Sequence, residues 1–125
     1  MGTFTKGDIV LFPFPYTDLS QRKLRPCLVL SDEMKEDIIL CQITSQRIQK
    51  DQYSIELRQN QIQEGNLMID SYIRANMIFT SHKSQILKKI GKVSDEVYRK
   101  VTSTILEIVK NPQSKTDGMT RKCPS

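Results

Sequence analysis

The chain has 125 residues, which suits one compact domain and leaves little room for a second. Its composition is that of an ordinary globular protein, and no apolar run approaches the roughly 20 residues that a membrane-spanning helix requires. The formal net charge of +5 favours nucleic acid or an acidic protein as a partner over an acidic substrate.

The three cysteines, Cys27, Cys41 and Cys123, lack the spacing of metal ligands, and their odd number argues against a disulfide framework. Cys27 and Cys41 lie in apolar stretches, where a thiol acts as a small buried hydrophobe. The first residues also lack the apolar stretch of a secretory signal. These features predict a protein of the reducing cytoplasm that holds no metal.

The first half of the chain predicts three strands. Residues 9–14 form an apolar stretch that Pro13 and Pro15 are expected to terminate. Residues 26–30 form a short continuous apolar run, which is typical of a central strand. Residues 37–44 contain several β-branched side chains and predict the third strand.

The middle of the chain is less regular. Apolar and polar residues alternate over residues 52–57, which predicts a half-buried strand. Residues 60–64 are consistent with one helical turn stopped by Gly65. Residues 67–73 and 76–79 predict a fifth strand region. Residues 86–93 are ambiguous, with Gly91 as a turn residue.

A helix is predicted near the end of the chain. Ser94 can cap it, and Asp95 and Glu96 suit its positively polarised N-terminus. Apolar residues follow at helical spacing, at Val97, Val101, Ile105 and Ile108 or Val109.

The sequence Asn-Pro at 111–112 ends this helix, so residues 1–110 are predicted to be a single domain and residues 111–125 a disordered tail. Many short strands followed by one helix predict a mainly β fold, a small, strongly curved barrel with the helix packed on it.

The candidate chemistry begins at Arg25, where a basic loop containing Arg22 and Lys23 enters the second strand. A cation held at a strand end is preorganised to grip a phosphate. The alternative is an arginine whose stem packs on the barrel while its head stays in water.

Thr44 and Ser45 end the third strand, where hydroxyl side chains usually only terminate a ladder. If strands two and three are neighbours, Thr44 lies beside Arg25. A guanidinium and a hydroxyl that converge without a metal suit RNA cleavage, because the ribose 2′-OH is a built-in nucleophile.

Other chemistries find little support in the sequence. It contains no glycine-rich phosphate loop, no His/Glu metal pair and no nucleophile elbow. The single histidine, His82, excludes a two-histidine acid–base pair within one chain and is expected to be a solvated loop residue.

Several short motifs occur together in one order. They lie at residues 6–10 and 12–18, 25–31, 43–45, 71–74 and 89–96. In this combination the chain resembles the PemK/MazF-like family of bacterial toxin endoribonucleases over nearly all of residues 6–110.

The resemblance implies an SH3-like β-barrel with a C-terminal helix, assembled as a homodimer. It implies metal-independent, sequence-selective cleavage of single-stranded RNA to 2′,3′-cyclic phosphate and 5′-OH ends, with no cofactor. The implied partners are messenger RNA and a small antitoxin with a flexible, often acidic tail, and no membrane is involved.

The resemblance also assigns roles to residues. The family's catalytic arginine and threonine fall on Arg25 and Thr44. Ser71 and Arg74 resemble positions that line the RNA groove, although a purely structural role for Arg74 is an equal alternative. The full set of positions predicted to bind RNA is Asp18, Arg22, Lys23, Ser45, Arg47, Ser71, Arg74, Asn76 and His82.

Three departures from the family pattern affect the mechanism. Ser20 and Gln21 stand where some members carry a glutamate, so no general base carries over; Asp18 is a candidate, although Asp in such a loop more often forms a turn. Asn76 replaces a usual lysine, and Thr-Ser-His at 80–82 replaces Thr-Leu-Asp. The last two changes are expected to alter the RNA preference.

Two other functions fit the same fold. One is a barrel that binds RNA or antitoxin without cutting. The other is a poison of a protein target such as DNA gyrase, with its activity on the C-terminal helix. That helix offers Tyr98, Arg99 and Lys100, and the chain has no tryptophan to anchor such a contact.

Overall fold

A computed structural model describes residues 3–15, 22–45, 52–65 and 70–111. The strands are β1 (Asp8–Pro15), β2 (Arg22–Val29), β3 (Asp37–Thr44), β4 (Ser54–Leu57), β5 (Ile62–Gly65), β6 (Ser71–His82) and β7 (Lys88–Val93). Short 3₁₀ turns cover Gln59–Gln61 and Lys83–Gln85, and the helix α1 covers Asp95–Lys110. The predicted disordered tail lies outside the described residues, apart from Asn111.

The strands form one antiparallel sheet in the order β4-β6-β3-β2-β1-β7-β5. The sheet curls into a half-barrel, and the two strands at its edges, β4 and β5, are consecutive in the chain. The prediction of a mainly β fold with a C-terminal helix is therefore confirmed. No helix of the described residues combines the length and apolar character needed to cross a bilayer.

The helix covers one face of the sheet. Val97 and Val101 are buried there against apolar side chains from six strands, including Ile43 and Ile73. As predicted, Ser94 caps the helix, and its side chain accepts a hydrogen bond from the Val97 amide. We call this sheet surface the helix-covered face.

The far end of the helix differs from the prediction. Ile105 still packs against the core, but Ile108 is 38% exposed and Val109 is 73% exposed. The apolar spacing continues beyond the area of sheet available for packing, so only the first three turns are held by burial.

The opposite face of the sheet carries a second, smaller core. It contains Val10, Cys27, Val29, Ile38, Leu40 and Ile86, with four phenylalanines packed at its margin. Cys27 lies in this core, and Cys41 lies in the core beneath the helix. Both are free thiols, and burial raises the pKa of each, that of Cys41 to about 12. The prediction that these two cysteines act as buried hydrophobes is confirmed.

The prolines do not terminate β1, contrary to the prediction. Pro13 pairs with Leu24 and Pro15 with Arg22, so the strand continues through both. Pairing of β1 with β7 ends at Leu11. Beyond that point no described strand pairs with this side of β1, so the missing N–H of a proline costs no ladder bond in the described part of the chain.

Gly91 lies within β7 and not in a turn, and Gly65 ends strand β5 and not a helical turn. The two glycines pair directly across the strands. A Cβ on Gly65 would lie 2.2 Å from the Ile90 carbonyl oxygen, and one on Gly91 would lie 2.7 Å from that of Glu64. Glycine is thus required here because the two backbones approach too closely for a side chain.

The described part of the predicted fifth strand region is one continuous strand, β6; residues 67–69 lie outside the described residues. Both ends of β6 pair with β3, and a register shift between Cys41 and Ile43 accommodates extra residues of β6 between the two paired segments. The sequence suggested two segments because this irregular stretch interrupts the apolar pattern.

A buried carboxylate ties β1 to β7. Asp8 is 1% exposed, and its Oδ1 atom lies 3.4 Å from Lys89 Nζ and 3.3 Å from Lys92 Nζ. Its Oδ2 atom accepts a hydrogen bond from the Thr5 amide. Lys89 also contacts Glu64 at 3.1 Å, and this hydrogen bond is the main reason its pKa is raised.

Replacing Asp8 by Asn should lower the free energy of unfolding by about 2 kcal/mol, because the amide leaves two lysines without their buried counter-charge. Urea denaturation monitored by circular dichroism measures this. Glu64→Gln is the control, since its half-exposed ion pair should contribute less than about 1 kcal/mol. Equal losses in the two variants would contradict the structural role of Asp8.

Candidate active site at the β2–β3 junction

The pairing of β2 with β3 ends at Cys27 and Gln42, although both strands continue. Leu30 donates its N–H to the Ile39 carbonyl on β3, and backbone N–H groups alternate in direction along a strand. Position 26 would therefore direct its N–H towards β3, but Pro26 has none. The proline ends the ladder, and the two strands part at this point.

Arg25 and Thr44 stand two residues beyond that last pair, one on each strand. Arg25 is half-buried and pairs with Phe12 of β1, so one neighbouring strand still holds its backbone. Thr44 is 8% exposed and pairs with Tyr72 of β6. Both alternate with residues of the helix-covered core and therefore belong to the opposite sheet surface, which we call the open face.

The same row continues across the sheet. Tyr72 pairs with Glu56 of β4, so Phe12, Arg25, Thr44, Tyr72 and Glu56 follow one another on the open face. Glu56 forms an ion pair with Arg58 at 3.0 Å, and this hydrogen bond raises the pKa of Arg58. The row thus brings cationic, hydroxyl, aromatic and anionic groups together.

Aromatic rings border the basic residues of β2. Phe12 pairs with Arg25, and Phe14 pairs with Lys23. Phe12, Phe14 and Phe79 pack edge to face, with ring centroids 5.2 to 5.6 Å apart. Rings beside cations are a combination that suits single-stranded nucleic acid, whose bases stack and whose phosphates pair with the charge.

Some other predicted RNA-binding residues lie near this row. Ser45 follows Thr44 and is exposed, and Lys23 is exposed at the start of β2. Arg74 lies two residues from Tyr72 along β6 and is half-buried, and the exposed Asn76 lies two residues further.

Ser71 and His82 do not belong to the row that contains Arg25 and Thr44. Ser71 is 3% exposed and alternates with Tyr72, so it belongs to the helix-covered face. His82 pairs with Asp37 at the opposite end of β3, about 23 Å from Thr44 along the strand. Direct RNA contacts by either residue remain predictions.

His82 is exposed, as expected, but it ends a strand and caps the following 3₁₀ turn. Its Nδ1 atom accepts a hydrogen bond from the Ser84 amide, and its Nε2 atom lies 3.5 Å from Glu36. The ring therefore has a local structural role. The predicted RNA-binding residues Asp18 and Arg47, and the side chain of Arg22, lie outside the described part of the chain.

Much of the positive charge between residues 83 and 92 is paired. Lys83 contacts Glu33 at 2.8 Å, a hydrogen bond that raises the pKa of Lys83 and lowers that of Glu33. Lys89 and Lys92 share Asp8. The net charge therefore overstates how much of the basic surface is available to a polyanion.

The comparison with known families matches the description "PemK-like, MazF-like toxin of type II toxin-antitoxin system" over residues 5–109. The chain belongs to this family. The match covers every described strand and nearly all of the helix, including the row that contains Arg25 and Thr44.

Solved structures share the PemK/MazF-like fold at low sequence identity. The MazE–MazF complex from Deinococcus radiodurans is 16% identical, with a TM-score of 0.71, and the match covers 86% of this chain and 96% of that one. An endoribonuclease in complex with its cognate antitoxin from a Mycobacterial species is 15% identical, with a TM-score of 0.65 and 87% and 97% coverage. The Mycobacterium tuberculosis toxin MazF-mt6 is 15% identical, with a TM-score of 0.59 and 78% and 93% coverage. No curated protein sequence matches the chain.

The row also contains residues that the sequence did not single out, Tyr72 and Glu56. In the sequence, Glu56 is recognisable only as an outward-facing residue of a strand with alternating polar and apolar side chains. Its place beside Tyr72 depends on a strand pairing that no local pattern specifies. Among the described residues, no cluster of three or more His, Cys, Asp or Glu side chains could hold a metal ion.

If Pro26 ends the β2–β3 ladder, then Pro26→Ala should extend it. The new N–H at position 26 is expected to bond to the Ile43 carbonyl and to be protected from hydrogen exchange. The bond contributes about 0.5–1.5 kcal/mol, and loss of the proline costs about 0.4–1 kcal/mol, so stability should change little. Amide exchange measured by NMR tests this, and a fast-exchanging amide at position 26 would contradict it.

Proposed function

We propose that this PemK/MazF-like toxin is a metal-independent, sequence-selective endoribonuclease of the cytoplasm that cleaves single-stranded RNA. One observation carries the proposal: Arg25 and Thr44 flank the point where β2 and β3 part, on the same open face. Two of the similar structures described above, both from Mycobacterial species, are an endoribonuclease and a MazF toxin, which supports this activity.

In the proposed reaction the ribose 2′-oxygen attacks the adjacent phosphorus. The 2′-O–P bond forms, the P–O5′ bond breaks, and the 2′-OH proton is lost while the leaving 5′-oxygen gains a proton. The products are a 2′,3′-cyclic phosphate and a 5′-OH. The protein must orient the phosphate and stabilise the extra negative charge of the pentacovalent state.

Arg25 suits this electrostatic role. Its guanidinium offers a planar fork of donors that can bind two phosphate oxygens at once. Its pairing with β1 holds the backbone in place, so little ordering is needed when RNA binds. Thr44 donates a second hydrogen bond from the opposite strand. Arginine is a poor proton donor because its guanidinium stays protonated in proteins, so charge stabilisation is the role assigned to it.

The proposed reaction also needs a base that accepts the 2′-OH proton. Glu56 is the carboxylate of the row, but it lies two strands from Thr44, a backbone separation of about 10 Å. Its side chain starts away from the gap between Arg25 and Thr44, and its ion pair with Arg58 restrains it further. Candidates for the base are a water molecule and Asp18 in the first loop; Arg25 would fill this role only if it gave up the charge assigned to it above.

The proposed assembly is a homodimer with a cognate antitoxin. The Deinococcus radiodurans structure contains MazE with MazF, and the Mycobacterial one contains a cognate antitoxin, which supports such a partner. An acidic flexible tail would be attracted to Lys23 and Arg25 by the same charge that attracts RNA. Antitoxin and RNA would then compete for the open face.

One observation favours the helix-based poison as a second candidate. At the end of α1, Leu106 is 57% exposed and Val109 is 73% exposed, and such apolar groups can contact another protein. A cleavage assay separates the two functions, because a poison of a protein target leaves RNA whole.

Arg25→Ala should reduce RNA cleavage by at least about 10²-fold, the usual effect of removing one charge-stabilising donor from an active site. Arg25→Lys should also cause a large loss, because an ammonium cannot reproduce the fork. Single-turnover cleavage of a long RNA measures both effects. Size-exclusion chromatography and circular dichroism check that dimer and fold are intact. Wild-type rates in Arg25→Ala would refute the assignment.

The wild-type protein should cut a long natural RNA at defined sequences in the presence of excess EDTA. Mapping the new 5′-OH ends by ligation and sequencing identifies the cut sites. Dependence on added Mg²⁺, or 5′-phosphate ends, would contradict the proposed chemistry. Intact RNA would favour the binding-only protein or the helix-based poison.

A further inference from the structure

Two buried polar atoms on the open face lack a partner. Ser54 of β4 pairs directly with Arg74 of β6. Ser54 Oγ and Arg74 Nε are both buried, and neither has a hydrogen-bond partner among the described residues. Each buried polar atom without a hydrogen bond lowers the stability of the unbound protein. Two such atoms on adjacent strands are unusual in a folded protein.

The hydrogen-bonding groups of the pair determine which kind of ligand could bond to both residues. Arg74 Nε is a donor only, and the Ser54 hydroxyl can donate as well. A ligand that bonds to both must present acceptor oxygens, and the charge of Arg74 favours an anion. Because Arg74 is half-buried as a residue, a rotation of its flexible stem would open the pair to such a ligand.

The pair lies next to the row that contains Thr44. Thr44 pairs with Tyr72, and Arg74 follows Tyr72 by two residues on the same face. Thr44 and Arg74 therefore lie on neighbouring strands and on the same face, beside the point where the β3–β6 register shifts. Extended RNA that passes Thr44 would also pass Arg74.

We propose that Ser54 and Arg74 form a second phosphate subsite, which holds the phosphodiester next to the one that is cleaved; this inference rests on the proposed endoribonuclease function. Phosphate is favoured over an acidic side chain because RNA that passes Thr44 delivers a phosphate at each nucleotide spacing. Glu56, the other outward residue of β4, would oppose an anion, but its ion pair with Arg58 offsets that charge.

The subsite gives Arg74 a role different from a purely structural one. A structural arginine stabilises the free protein, and its loss lowers the melting temperature. A phosphate-binding arginine mainly affects affinity for RNA and its dependence on salt. Ser54 distinguishes the two more sharply, because removing an unsatisfied hydroxyl should not destabilise the free protein.

The probe is a mixed-sequence 2′-O-methyl RNA 20-mer, which cannot be cleaved because the nucleophile is blocked. Ser54→Ala should weaken its binding about threefold to tenfold, with an unchanged or higher melting temperature. Arg74→Met should weaken it about tenfold or more. It should also reduce the slope of log Kd against log [KCl] by about 0.7, the contribution of one phosphate on a single strand.

Matched controls are Ser103→Ala and Lys110→Met, exposed residues of the helix. Neither should change the affinity by more than about twofold. If Arg74→Met fails to fold, the RNA affinity of Ser54→Ala alone still tests the subsite. Wild-type affinity in Ser54→Ala and an unchanged salt slope in Arg74→Met would overturn the subsite, and an acidic peptide would then be the better candidate ligand.

Cleavage of unmodified RNA by the wild-type protein is scored in parallel. Weakened binding in the variants with no wild-type cleavage would refute the nuclease and support a phosphate subsite in an RNA-binding protein. Wild-type cleavage with unchanged binding in the variants would refute the subsite and support the nuclease.

Discussion

The missing N–H of Pro26 determines the geometry of the open face. A sheet normally satisfies every backbone donor by pairing with both neighbours, which would close β2 against β3 along their whole length. Proline removes one of the two backbone bonds that would extend the ladder past Cys27, while β1 still pairs with β2 as far as Arg22. The backbone of Arg25 is consequently paired with β1 beyond the end of the β2–β3 ladder. Beyond the same break, the backbone of Thr44 pairs with Tyr72 of β6.

Ion pairing away from this break determines where positive charge remains available. Asp8 is shared by two lysines, and Glu33 is paired with Lys83. These contacts stabilise the junctions between strands and also neutralise part of the positive charge on that surface. Among the described residues, the open face carries the cations Lys23, Arg25 and Arg74, which are exposed or half-buried.

The elements predicted correctly are those specified by local pattern. β3 and the helix have the expected bounds because apolar periodicity and a capping serine act within a few residues. The prediction that Gly91 is a turn residue is wrong. Glycine is required at this position because Gly65, which is distant in the chain, lies directly opposite in the sheet. The placement of Arg25 near Thr44 depends on their strands being neighbours, and β2 and β3 are neighbours. The Ser54–Arg74 pair could not be predicted, because it depends on a register between β4 and β6 that the sequence does not specify.

Strand β6 shows how one segment presents different residues to the two faces of the sheet. Ser71, Ile73 and Ala75 are buried on the helix-covered face, and Tyr72 and Arg74 alternate with them on the open face. Because the period of a strand is two, a substitution at an even position here changes the open face without opening a cavity under the helix. The orphan atoms of Ser54 and Arg74 therefore lower stability at a place where the helix-covered core can offset the cost. A binding site that needs unsatisfied donors is best tolerated on that side of the sheet.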